Sequence, residues 1–364
     1  MAAFALEHVA WESCLLQPRP DRALESYARR KQGLPNPAIR YFSTVPWLAR
    51  ALVDLHTEQG LLVHVDQNLA DLVTLVVSQE NSCRFCYAAV RALLWAQGMD
   101  KARIERVEQD LTRADLPPRT AAAIVFGRAQ SRIGAAAARS AREALRQAGF
   151  SPDELKEVAF AVAMTDFSNR AHTIPAIPSK PFERMPEQFV MQLLRPLVGR
   201  ILKRHSARGR ETALGPIASF PYAHLVRAYA GSPIGPMLAR SLDEMWASSH
   251  LTRRCKLLIL AVVARGLGCE GCASPLREAL HAEGLSDAAL DRILADLDGP
   301  ELDPVERLLV PFARETIWYE PAMLQRRARA LREHLSEPQL VEAIGVAALG
   351  NGLCRMGAMV MDAA

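Results

Sequence analysis

The sequence predicts an all-α protein built from two tandem helical domains. Half of the residues are apolar but only 6% are aromatic, and a chain rich in Ala, Leu and Arg favours helices over sheets. The length of 364 residues favours two domains over one. Similar stretches also recur at a nearly constant offset, which indicates that the two domains are copies of each other.

The repeat is clearest around two Cys-x-x-Cys motifs that lie 186 residues apart. The same offset, reduced by one in the later part, aligns residues over about 90 positions, as expected for a duplicated domain. We therefore expect two halves related by pseudo-twofold symmetry. The aligned pairs include Cys83 with Cys269, Cys86 with Cys272, Gly98 with Gly284, Phe126 with Phe312, and Asn169-Arg170 with Cys354-Arg355.

The repeats divide the chain into four segments. We place repeat 1 at residues 41–178 and repeat 2 at residues 219–364, with an N-terminal arm at 1–40 and a linker at 179–218. The linker predicts an amphipathic helix with a basic end, which would lie either on a membrane surface or on the protein core. Packing on the core is favoured, because Pro196 interrupts the apolar stripe.

Composition excludes several classes of function. A formal net charge of +4 is too small to indicate nucleic-acid binding. The first residues lack the basic region of a signal peptide, and apolar stretches such as 257–264 are far shorter than a membrane span. We expect a soluble, cytoplasmic protein. Its seven cysteines, an odd number, argue against a framework of structural disulfides.

Each cysteine pair is predicted to begin a helix. Apolar residues at helical spacing indicate a buried helix over 66–79, after which Ser82 is expected to cap a second helix that starts at Cys83 and ends at Gly98. The second pair repeats this plan, with Pro275 in the second turn of its helix. Cysteines three residues apart share one helix face, and the positive helix end stabilises a thiolate.

Two other interpretations of the cysteines remain open. The two motifs together could form a four-cysteine zinc site, but their separation is far longer than in zinc ribbons, and we predict no metal and no cofactor. The pairs could also be inert buried thiols. The remaining cysteines, Cys14, Cys255 and Cys354, have no thiol at a useful spacing and are expected to be core or surface residues.

The stretch from Asp71 to Val90, DLVTLVVSQENSCRFCYAAV, resembles the signature of the alkylhydroperoxidase D-like and carboxymuconolactone decarboxylase family. The later stretches SPDELKE and FSNR resemble it too. The family motif has an acid twelve residues before Cys-x-x-Cys and a histidine four residues after it. The resemblance implies that Cys86 attacks a peroxide, that Cys83 resolves the sulfenic acid into a disulfide, and that Asp71 helps to move protons.

Both repeats depart from that motif. Val90 and Leu276 stand where the family has its histidine. In repeat 2 the acidic position is Leu257, and His281 lies about half a turn off the face of the cysteines. Cys269 and Cys272 are therefore predicted as a second, less complete site.

Other residues are candidates to replace the missing proton relay of repeat 1. His172, which follows Asn169-Arg170, is the histidine we expect to substitute from another helix. Glu80 is closer to Cys83 in sequence and is an alternative acid. A simpler interpretation is that Glu80 is a solvated residue at the end of a helix.

Three functions are consistent with these patterns. The first is a thiol-dependent peroxidase or disulfide-exchange enzyme that acts on a small peroxide or disulfide with a thiol reductant protein as partner. The second is a decarboxylase-type enzyme, in which Arg170 and Arg355 would hold the carboxylate of a small organic acid. The third is a non-catalytic redox sensor or structural protein. In each case we expect the fused pair to act as a pseudo-dimer that associates further.

Overall fold

The computed structural model describes residues 5–33, 35–56, 60–109, 115–132, 135–206, 213–215 and 221–360. Within those ranges the regular secondary structure is helical and no strand occurs, so the predicted all-α class is confirmed. The α-helices are α1 (Arg22–Gln32), α2 (Pro46–Asp54), α3 (Gln67–Glu80), α4 (Arg84–Ala96), α5 (Lys101–Gln109), α6 (Pro118–Arg132), α7 (Ala135–Gln147), α8 (Pro152–Thr173), α9 (Lys180–Glu183), α10 (Phe189–Ser206), α11 (Ala223–Ala228), α12 (Ile234–Ala247), α13 (Arg253–Leu267), α14 (Glu270–Ala282), α15 (Asp287–Asp296), α16 (Pro304–Trp318), α17 (Pro321–Leu331) and α18 (Glu337–Val360).

Two long buried helices, α8 and α18, pack along each other at the centre of the protein. Ser151 and Glu154 form a reciprocal capping box at the start of α8. Ser336 and Gln339 make the corresponding bonds at the start of α18. The two helices approach closely because Gly352 has no side chain: a Cβ there would lie 2.6 Å from the carbonyl oxygen of Ala163.

Helix α18 is longer and more apolar than the sequence analysis recognised. By length and composition alone it could cross a membrane, with a mean hydropathy of 1.4 over its most apolar window. In the structure 94% of that window is buried inside the protein. Its apolar character therefore matches its place in the protein core.

Two buried carboxylates hold the loops that precede α3 and α13. Glu157 on α8 accepts hydrogen bonds from the backbone N–H groups of residues 63–65 at 2.7–2.9 Å. Glu342 on α18 accepts one from the N–H of Leu251 at 2.9 Å and pairs with the buried Lys256 at 2.8 Å. Each carboxylate thus holds in place the loop before the helix that precedes one cysteine pair.

The N-terminal segment, which we expected to be an appended arm, packs on the rest of the chain. The indole of Trp11 donates to the carbonyl of Ile177 at 3.1 Å, and the N–H of Leu15 donates to the carbonyl of Pro175 at 2.9 Å. Leu16 is buried. The segment therefore covers the residues that follow the C-terminal end of α8.

Helix α10, in the predicted linker, packs on α4 through one of its faces. Arg195 donates to the carbonyl of Trp95 at 2.8 Å, and Gly199 lies against the backbone of Ala96, so this face rests on α4 as expected. The other face leaves large apolar side chains exposed, namely Phe189, Val190, Leu193, Leu194 and Leu197.

A buried ion cluster joins α8 to α18. The Asp166 carboxylate lies 3.2 Å from Arg170 and 3.3 Å from Arg355, and it accepts a hydrogen bond from the Asn81 side chain at 2.8 Å. Asp166 and Arg170 are fully buried. The two arginines, which the predicted repeat aligns with each other, therefore converge on one carboxylate.

We expect Asp166→Asn to lower the free energy of unfolding by about 3–5 kcal/mol, because it leaves two buried guanidinium groups without their counter-charge. Chemical denaturation followed by circular dichroism measures the change. The control is Asp153→Asn, which breaks an exposed pair with Lys156 and should cost less than about 1 kcal/mol. Equal effects of the two substitutions would contradict the role of the cluster.

Candidate functional site

The Cys86 side chain borders a cavity of about 210 Å³. The wall is mainly apolar and is built from α2, α3, α4, α8, residues of the predicted linker, and the segment between α1 and α2. Sequence reasoning had assigned no role to that last segment. Among the lining residues that the structure describes, none is Arg or Lys. The apolar side chains include Ile39, Phe42, Leu52, Leu55, Phe85, Val90, Leu93, Met164, Phe182 and Val198.

The first cysteine pair lies at the start of α4, as predicted, but the cap differs. Ser82 has a left-handed backbone with φ of 49°, and Cys83 itself caps the helix by accepting the backbone N–H of Cys86 at 3.3 Å. The neighbouring Cys83 thiol contributes to raising the pKa of Cys86. Cys83 is fully buried, whereas Cys86 faces the cavity.

Ser168 and His172 on α8 lie beside the Cys86 thiol. The Ser168 hydroxyl lies 3.9 Å from Cys86 Sγ and 3.3 Å from His172 Nδ1. The imidazole is stacked on the Phe85 ring at 4.3 Å between centroids, nearly parallel to it. The structure thus brings the predicted substitute histidine to the cavity wall, 86 residues after Cys86 in the chain.

The protonation states of these groups follow from their burial. Burial raises the pKa of the Cys86 thiol well above its usual value, and the Ser168 hydroxyl partly opposes that rise. Burial lowers the pKa of His172 to about 4. Its Nδ1 lies 2.7 Å from the carbonyl oxygen of Ser168, which requires the proton on Nδ1 and leaves Nε2 as a proton acceptor. The site therefore pairs a protonated thiol with a neutral base at pH 7.

The acidic residue of the predicted motif, Asp71, is buried but is not among the residues that line the cavity. It accepts hydrogen bonds from Gln67 at 2.7 Å and Gln97 at 3.0 Å. Burial lowers the pKa of His56, a cavity residue that the sequence analysis did not single out, and the charge of Asp71 partly opposes that fall.

Three other sequence candidates lie away from the cavity. Glu80 forms an ion pair with Arg128 at 3.3 Å at the end of α3. Arg170 is committed to Asp166 and to the carbonyl of Thr316. His281 is partly exposed and is bound to Asp287 at 3.1 Å.

The second pair has a different environment. Cys269 occupies the N-cap position of α14 without a side-chain capping bond, and its sulfur lies 2.8 Å from that of Cys272. Cys354 on α18, which we had expected to have no thiol neighbour, joins them, and the three sulfurs lie within 4.8 Å of one another. Hydrogen bonds from Cys272 and Cys354 lower the pKa of Cys269, whereas the pKa values of the other two thiols are raised. Among the described residues, the first pair does not belong to this group of sulfurs.

Comparisons with known proteins identify one similar structure. It is a protein from Ralstonia eutropha described as an alkylhydroperoxidase AhpD core and an uncharacterized peroxidase-related protein, with 21% sequence identity and a TM-score of 0.41. The match covers 49% of this chain and 99% of that one. No protein-family profile and no curated protein matches the sequence.

The depressed pKa of His172 predicts that stability falls as the solution is acidified. Between about pH 6.5 and pH 4 the unfolded chain binds a proton at this histidine while the folded chain does not, so each pH unit costs about 1.4 kcal/mol. Between pH 7 and pH 5, wild type should lose about 2 kcal/mol more than His172→Gln. Denaturant titrations at both pH values measure this difference. The contributions of the carboxylates to the pH dependence cancel, because both proteins contain the same carboxylates. Parallel losses in the two proteins would rule out a neutral buried His172.

Proposed function

We propose that this protein is a thiol peroxidase for small organic hydroperoxides, and that it consists of two duplicated domains of the alkylhydroperoxidase D-like type. One observation carries the proposal: the Cys86 sulfur borders an apolar cavity together with Ser168 and the neutral imidazole of His172. The Cys83 sulfur lies 3.3 Å from the backbone nitrogen of Cys86 and accepts its N–H. This arrangement suits a peroxide-attacking thiol and a resolving thiol.

In the first step the neutral imidazole of His172 is the base that takes up the proton of the Cys86 thiol, and the Ser168 hydroxyl donates a hydrogen bond to the resulting thiolate. The thiolate attacks the terminal oxygen of the hydroperoxide and the O–O bond breaks. The leaving alkoxide takes the proton back from His172. The products are an alcohol and the sulfenic acid of Cys86.

In the second step the Cys83 sulfur attacks the Cys86 sulfenic acid. An S–S bond forms, the S–O bond breaks, and the hydroxyl leaves as water with the proton of the Cys83 thiol. A dithiol reductant then restores both thiols by exchange and is itself oxidised to a disulfide. The electrons that reduce the peroxide therefore come from the dithiol reductant.

The cavity supports an apolar substrate over an organic acid. A carboxylate substrate calls for a cation in the pocket, and the described lining residues include none. The two arginines that the decarboxylase alternative would use, Arg170 and Arg355, are held by Asp166. An alkyl hydroperoxide would instead place its carbon chain against the aliphatic and aromatic wall.

The hydrogen bonds of Glu157 and Glu342 support the proposed duplication. The two residues are 185 positions apart, as are the capping serines of α8 and α18. Each glutamate holds the loop before the helix that precedes a cysteine pair. Such matching contacts are expected of two copies of one domain.

We expect Cys86→Ser to abolish turnover of an organic hydroperoxide such as cumene hydroperoxide with a dithiol reductant, because it removes the attacking sulfur. In Cys83→Ser, Cys86 should stop at the sulfenic acid, which dimedone traps for mass spectrometry. Ser168→Ala and His172→Gln should lower the rate of thiol oxidation by about 10-fold to 100-fold, because they remove a thiolate donor and a base.

The matched control is Cys255→Ser, since Cys255 is an equally buried thiol outside both pairs. It should keep wild-type turnover. If the wild-type protein forms no Cys83–Cys86 disulfide on exposure to hydroperoxide, the proposed function is wrong.

The cavity also predicts a preference for substrate size. Ala89→Phe places a ring in the cavity, so turnover of a bulky aryl hydroperoxide should fall by at least about tenfold relative to that of hydrogen peroxide. Steady-state rates for both peroxides measure this ratio. An unchanged ratio of the two rates would indicate that the hydroperoxide binds outside this cavity.

A further inference from the structure

The three-cysteine cluster of Cys269, Cys272 and Cys354 lies outside the proposed peroxidase site. Two of its members come from the first turn of α14 and the third from α18, so the cluster joins two helices. All three side chains are buried. In the repeat alignment the position of Cys354 is occupied by Asn169, so the first cysteine pair has no equivalent third thiol.

Helix α18 makes room for these sulfurs at Gly357. A Cβ at this position would lie 3.0 Å from the Cys272 sulfur and 3.3 Å from that of Cys269. Gly357 also corresponds to His172 at the offset of 185. The position of the base in the first site is thus held here by a glycine against which the sulfurs pack.

The separations of the sulfurs are suitable for one metal ion. Zn²⁺ binds cysteine sulfur at about 2.3 Å in tetrahedral geometry, which places the sulfurs of a site about 3.8 Å apart. The Cys269–Cys272 separation of 2.8 Å is shorter than this value, and all three sulfurs lie within 4.8 Å of one another. A small opening of the Cys-x-x-Cys turn would bring them to that spacing.

His224 on α11 is the candidate for the fourth ligand, although neither of its ring nitrogens lies within 4.8 Å of all three sulfurs, so the ring has to move towards them to bind the metal. Its Nε2 is buried and has no hydrogen-bond partner, while the backbone of Pro221 hydrogen-bonds to the ring. The imidazole is close enough to Cys269 for their charges to interact. A ring held by a backbone group, with one nitrogen free, is the usual arrangement of a metal-binding histidine.

A second polar group supports the cluster from behind. The Tyr222 hydroxyl lies 3.6 Å from the Cys354 sulfur. As a donor to a metal-bound thiolate it would orient that ligand, as outer hydrogen bonds do in metal sites.

We propose that Cys269, Cys272 and Cys354, with His224 as the fourth ligand, bind a zinc ion that ties α14 to α18. Thiolate and imidazole ligands in tetrahedral geometry select Zn²⁺ over the harder Mg²⁺ and Ca²⁺. Four protein ligands leave no open position for a substrate, so this zinc stabilises the fold. The two cysteine pairs then serve different purposes, redox chemistry in the first and metal binding in the second.

The test is the metal content of the full chain, expressed without a histidine tag and purified under reducing conditions. Inductively coupled plasma mass spectrometry should find one zinc per chain in wild type and in Cys86→Ser, which keeps this result independent of the peroxidase site. Cys354→Ser should lose the zinc, and Cys255→Ser, the matched control for removal of a buried thiol, should retain it.

Cobalt substitution provides a readout that does not depend on the folding of a cysteine variant. Wild-type protein stripped of metal and titrated with Co²⁺ should develop the visible bands of tetrahedral thiolate coordination at one equivalent. His224→Ala, which changes a half-buried residue, should shift those bands and weaken Co²⁺ binding by at least about tenfold. Chelation of the zinc should lower the melting temperature, because the metal binds the folded state.

Three outcomes would overturn the proposal. They are a wild-type protein that neither carries zinc nor binds Co²⁺ with thiolate bands, a disulfide between Cys269 and Cys272 mapped in protein alkylated at lysis, and full zinc content in a folded Cys354→Ser protein. An unchanged cobalt spectrum in His224→Ala would overturn the assignment of the fourth ligand.

Discussion

The buried carboxylate of Asp166, held between Arg170 and Arg355, is the constraint on which the rest of the structure depends. Taking three charges out of water is costly, and the cost is offset only when the groups face each other closely. The cluster therefore permits one arrangement of α8 against α18. Because α8 carries Ser168 and α18 carries Cys354, the same contact positions one wall of each cysteine pair.

The two cysteine pairs share one motif but differ in their surroundings. Each pair begins a helix, with its first cysteine at the N-cap position. Beside Cys86, helix α8 supplies a hydroxyl and an imidazole, and the thiol borders an apolar cavity. Beside Cys272, helix α18 supplies a third sulfur and the backbone of Gly357. A cavity with a base is suited to attack on a small molecule, whereas three clustered sulfurs are suited to a metal.

Much of the fold could be predicted from the sequence because it depends on local patterns. Helical periodicity, the serine caps and the cysteine positions at the helix starts are read within a few residues. The all-α class followed from them. The cap at Cys83 was misassigned to Ser82 because the left-handed backbone of that serine leaves no mark on the residue pattern.

The rest depended on contacts between distant segments. His172 could be suspected because it follows Asn169-Arg170, but its stacking on Phe85 needs the packing of α8 on α4. Cys354 appeared isolated because 82 residues separate it from Cys272. The sequence did contain one indication of this contact. In the predicted repeat alignment Cys354 takes the place of Asn169, so a thiol stands at the position that lies next to Cys269 and Cys272 in the structure.

The residues before α2 that line the cavity have a practical consequence for work on shorter forms of the chain. A chain trimmed to residues 41–178, the predicted first repeat, would keep both thiols, Ser168 and His172. It would lose Gln32, Asn36 and Ile39 from the lining, and water would reach the sulfur and the imidazole directly. The thiol would then ionise more readily and the imidazole would hold a proton more readily, so the reactivity of such a fragment would not represent that of the intact protein.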